Sequence, residues 1–90
     1  GTMVRAAAEG RVVTMEKLDS GWGWYLTIDH GGGIATLYSH LSRFEVGLGE
    51  WVAQGQALGR VGTTGSATGP NLHFEVWQNG VRVNPLDFLP

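Results

Sequence analysis

Ninety residues are enough for one small domain with a modest core and too few for two. A net charge of −2 with only 16% charged residues leaves no basic stripe, so no nucleic-acid partner is expected, and the lack of cysteine excludes disulfides and thiolate metal sites. No apolar run approaches the ~20 residues that cross a bilayer, and no membrane span is expected.

Fifteen glycines, four tryptophans and no long 3.6-residue period predict short strands joined by tight turns, an all-β fold. Val4 to Ala8 and Arg11 to Met15 read as two strands around a Glu9-Gly10 bend or hairpin. Trp22 sits between two glycines in a loop, as a binding aromatic or as a lid on the core. Trp24 to His30 alternates, with Trp24, Leu26 and Ile28 on one face and Tyr25, Thr27 and Asp29 on the other. Gly31-Gly32-Gly33 then turns the chain into Ile34 to His40, which places His40 with Tyr38, Thr36 and Ile34. Leu41 to Phe44 reads as one helical turn leaving that hairpin. Between Val46 and Gly62 the glycines fall at bends, with Val46, Leu48, Val52, Leu58 and Val61 as apolar anchors and a strand at Ala57 to Val61.

The small-residue loop Gly62 to Gly69 empties into the most informative stretch. If Pro70 opens a strand, Leu72, Phe74 and Val76 face the core while Asn71, His73 and Glu75 share the other side. Residues two apart lie roughly 6.5–7 Å from one another along a strand, near enough to address one ligand. Alternation alone favours a plain solvent face over a site. Asn79-Gly80 then turns the chain into Val81 to Val83, and the residues from Asn84 to Leu89 are expected to pack the end down.

Several of these motifs, in order, are shared with a known family. Gly1-Thr2-Met3-Val4, Ile28-Asp29-His30-Gly31, Leu37-Tyr38-Ser39-His40-Leu41, Gly65-Ser66-Ala67-Thr68-Gly69-Pro70, Leu72-His73-Phe74-Glu75 and Asn84-Pro85 together resemble the lysostaphin-like (LytM) zinc metallopeptidase domain. The resemblance implies a compact antiparallel β-sandwich or barrel-like domain of the duplicated hybrid motif type, spanning 1–90 and short at its N-terminus. In that family zinc is held by a His-x-x-x-Asp motif and by the second histidine of a His-x-His. The first histidine of that pair and the one ending a Tyr-x-His strand act on the water and the oxyanion.

By that resemblance His73 matches the third zinc ligand and His40 the Tyr-x-His catalytic histidine, while Asn71 stands where the first histidine of His-x-His belongs. The His-x-x-x-Asp motif would precede Gly1. A hydrolytic zinc needs three protein ligands and an open position, and asparagine exchanges no proton near neutral pH. The expectation is therefore a degenerate metallopeptidase domain of the bacterial periplasm or cell envelope with no catalytic residues and no cofactor of its own, zinc belonging to intact relatives. Its groove of His40, Asn71, His73, Tyr25 and Trp22 would bind and activate a cell-wall amidase or bind peptidoglycan. The alternative is a fragment of a zinc endopeptidase that cuts peptidoglycan cross-links, its remaining ligands lying upstream. An edge left bare by a lost N-terminal strand predicts a homodimer by strand exchange.

Overall fold

Alternating apolar residues flanked by glycine turns give eight strands. The computed structural model describes residues 1–67 and 69–87. β1 spans Met3–Arg5, β2 Gly10–Lys17, β3 Trp24–Gly31, β4 Ile34–Phe44, β5 Trp51–Val52, β6 Ala57–Val61, β7 His73–Gln78 and β8 Val81–Val83, followed by a 3₁₀ turn at Pro85–Asp87. The expected packing of Phe88 and Leu89 lies outside the described residues.

All the strands join one antiparallel sheet in the order β1-β6-β4-β3-β2-β5, with β7 paired to β4 and β8 to β7. The two ends of that order curl toward each other. The chain after β5 returns to the segment after β1, where Ala6 N–H donates to Gln56 O at 2.9 Å and Gly55 N–H to Ala6 O at 2.8 Å. Inside the curl lie Val12, Leu26, Ile28, Leu41, Val52 and Leu58, all fully buried.

Two hairpins match their sequence signals. Gly31 pairs with Ile34 across Gly32 and Gly33, whose φ values of 61° and 82° are those of a two-residue turn that follows strand twist. Asn79 and Gly80, at 51° and 80°, do the same between Gln78 and Val81.

Three expectations need correction. Val4 does not form a hairpin with the strand after Gly10; β1 pairs with β6, far along the chain, because Ala6 is claimed by Gln56. Leu41 to Phe44 is not helical. It continues β4, since Leu41, Arg43 and Phe44 pair with Val61, Arg60 and Gly59 of β6. Leu48 is not a core anchor but stands 67% exposed in a turn, whereas Val46 is buried as expected.

At eleven residues β4 is the spine of the sheet. Along one edge it pairs with β3; along the other, Ile34 to Ser39 pair with β7 and Leu41 to Phe44 with β6. The handover falls at His40.

Candidate functional site

The alternation in β3, β4 and β7 sorts their side chains onto two faces. Leu26 and Ile28 of β3 stand opposite Tyr38 and Thr36 of β4, which stand opposite Phe74 and Val76 of β7, and these form the core face. The other face carries Tyr25, Thr27, Leu37, Ser39, His73, Glu75 and Trp77. The separation of Leu72, Phe74 and Val76 from His73 and Glu75 is thus as expected. The strand itself begins at His73, and Asn71 is an exposed residue in the approach to it.

His40 departs from its expected face. Opposite Tyr25, β4 fits two residues, Ser39 and His40, between the pairs Leu26–Tyr38 and Trp24–Leu41. His40 takes φ 62°, so the strand bulges there and the histidine leaves the Tyr38 face. Its ring lies 6.2 Å from that of His73, centre to centre. The bulge is held on both sides: His40 N–H donates to Trp22 O and Gly62 N–H donates to His40 O, each at 2.9 Å.

Both histidines have fixed tautomers. His40 Nδ1 is 2.8 Å from Thr64 O; a carbonyl only accepts, so Nδ1 carries the proton and Nε2 of the neutral ring keeps its lone pair. His73 Nε2 is 2.6 Å from Glu75 Oε2, so there Nε2 carries the proton and Nδ1 keeps the lone pair. Neither lone-pair nitrogen has a hydrogen-bond partner among the described residues.

Glu75 is the buried anchor of this arrangement, only 2% exposed. Its Oε1 accepts from Trp77 Nε1 at 2.8 Å, and Arg82 Nη1 approaches Oε2 at 3.5 Å. Burial pushes the carboxyl upward, but the hydrogen bonds from His73 and Trp77 and the charge of Arg82 outweigh it and hold the group below its usual range.

Trp22 and Tyr25 meet at 4.9 Å with a 60° tilt, and Trp22 O is the acceptor for His40 N–H. The structure therefore brings Trp22, Tyr25, His40 and His73 together along one wall. Thr64, Trp77 and Arg82 complete the surroundings and were not singled out from sequence, whereas Glu75 was placed with His73 on the polar face of its strand. Trp77 was within reach, since it follows Glu75 at an interval of two on the same strand face. Thr64 was not: its role rests on a backbone carbonyl 24 positions from His40.

Family membership follows on this geometry. The chain belongs to peptidase family M23, whose model matches residues 1–85. It is 46% identical over 86 residues to the DD-carboxypeptidase/endopeptidase Mpg of Neisseria meningitidis, a match covering 96% of this chain and 20% of that protein. It is 37% identical over 89 residues to the murein hydrolase activator EnvC of Escherichia coli, covering 99% of this chain and 21% of EnvC. Among solved structures, the catalytic domain of the antimicrobial peptidase lysostaphin from Staphylococcus simulans superposes with a TM-score of 0.88 at 32% identity, over 98% of this chain and 70% of that domain. The expected fold class is confirmed, and the chain spans about a fifth of the curated relatives it matches.

The zinc that the family resemblance implies was weighed against these side chains. No three His, Cys, Asp or Glu groups among the described residues converge on one point. His73 offers one ligand nitrogen, short of the three that a catalytic zinc needs.

Proposed function

We propose that this domain works on peptidoglycan in the bacterial periplasm or cell envelope, and that with asparagine at position 71 it binds without cutting. The face carrying Tyr25, His40 and His73 would hold a wall peptide or present a surface to a cell-wall amidase. The single observation behind this reading is Asn71. An amide can donate and accept hydrogen bonds but cannot relay a proton as imidazole does. That M23 relatives include both an endopeptidase and a hydrolase activator makes each outcome available to the fold.

Purified protein is expected to sediment with isolated sacculi and to release no soluble muropeptides with zinc present. Addition to a cell-wall amidase separates the two versions, since an activator raises the rate of amidase release and a pure peptidoglycan binder leaves it unchanged. Release of muropeptides by the protein alone would refute both.

One feature favours a second reading, a zinc endopeptidase completed by ligands N-terminal to Gly1. A histidine whose far nitrogen is held by a buried carboxylate is the usual support for a metal ligand, and His73 with Glu75 has that form. Cleavage of a cross-linked muropeptide dimer by the full-length gene product, abolished by His73→Ala, would establish this reading over the first.

A further inference from the structure

Arg82 stands across β8 from Trp77 and shares the face that bears His73 and Glu75. Its side chain is 56% exposed and approaches Glu75 Oε2 at 3.5 Å. That distance is an ionic contact, too long for a well-formed hydrogen bond.

Glu75 takes its two short hydrogen bonds from other groups. His73 holds Oε2 at 2.6 Å and Trp77 holds Oε1 at 2.8 Å. A guanidinium has five N–H donors in a planar fork matched to a carboxylate, and none of Arg82's makes a hydrogen bond to the described residues. Arg82 helps neutralise Glu75 by charge alone, and with its side chain 56% exposed the other donors are open to solvent on the face that carries His73.

We propose that Arg82 is the anion-reading residue of this groove and takes a carboxylate of the bound wall peptide. The inference rests on the reading of the groove as a peptidoglycan site and adds a polarity to it. The aromatic pair Trp22 and Tyr25 marks one end, the histidines the middle and the guanidinium the other, so a peptide would lie with an acidic group on the β8 side. A carboxylate arriving there replaces the long contact to Glu75 with two parallel N–H donors.

The test uses acetyl-lysyl-D-alanyl-D-alanine with a free C-terminal carboxylate and the same peptide as its C-terminal amide, titrated into ¹⁵N-labelled protein. Binding constants and the Arg82 Nε–H resonance are followed by NMR. The acid is expected to bind about tenfold more tightly than the amide at low salt, as a charge-assisted pair at a half-open site allows, with the advantage shrinking at high salt. Arg82→Gln should bring the acid down to the level of the amide while leaving the amide unchanged, and Arg82→Lys should keep part of the preference. If both peptides bind wild type equally, or the preference survives Arg82→Gln, this inference is overturned and the groove reading stands. If neither binds, the inference falls together with the reading of this face as a wall-peptide site, and the amidase-surface version stands.

Discussion

At Thr36 one hydroxyl joins Tyr38 to His30 in a hydrogen-bond network that runs from β4 back to the segment after β1. Ala7 N–H donates to the Tyr38 phenol oxygen at 3.0 Å, and the Thr36 hydroxyl donates to the same oxygen at 2.9 Å. Thr36 Oγ1 also hydrogen-bonds His30 Nε2 at 2.7 Å, and His30 Nδ1–H donates to Glu9 O at 2.7 Å. The network ties the segment after β1 to β3 and β4. Tyr38→Phe would leave Ala7 N–H without its acceptor and take one of two partners from Thr36, and is expected to cost about 1–3 kcal/mol, read from urea unfolding. Burial raises the Tyr38 hydroxyl above its ordinary pKa, favouring the protonated form in the folded state. Its contribution to stability is then fully present below about pH 10 and is lost as pH rises through the folded value. Urea midpoints measured upward from pH 8 should fall in wild type and fall less in Tyr38→Phe. The placement of His30 with Leu26 and Ile28 was legible in the alternation. Its bond to Glu9 was not, because that contact joins residues 21 apart that share no local pattern.

The elements that carry the site are two glycine loops laced together. Gly21 N–H donates to Ser66 Oγ, Ser66 N–H to Gly21 O and Trp24 N–H to Thr64 Oγ1, while Thr64 Oγ1 donates to Leu41 O. The lacing needs glycine at Gly65, which has φ 72° and where a Cβ would collide with Gly23 N and Gly21 O. Gly65→Ala is expected to destabilise the fold by about 1–3 kcal/mol. It should also shift the His40 ring resonances, because Thr64 O holds that ring. Thermal melting and histidine-selective NMR would check both effects, and unchanged His40 signals would show that the lacing does not position the site. From sequence the loops were legible as loops but not as partners of each other. The same limit explains the error at Leu41 to Phe44. The bulge at His40 breaks the period of two, and only pairing with β6 restores a strand beyond it.

Over the whole molecule, glycine turns and alternation were enough for the all-β class and for the β3–β4 and β7–β8 hairpins. Pairings such as β1 with β6 were not legible, since nothing local encodes them. The strand-exchange dimer expected from a bare edge meets edges of another kind. β1 and β8 have three residues each and β5 has two, and the uncovered part of β2 ends in Glu16 and Lys17. Short or charged edges discourage a second chain, so a monomer is the expected result by size exclusion with light scattering at low and high concentration. A mass that doubles with concentration would restore the exchange. The handover on β4 has a bearing on recognition too. Since β7 departs and β6 arrives on the same backbone that carries His40, the face proposed to take a wall peptide is a seam along one continuous strand, with no pair of hinged bodies among the described residues to close around a visitor. An incoming peptide would find its berth already cut, and the freedom lost on docking would be almost wholly the visitor's.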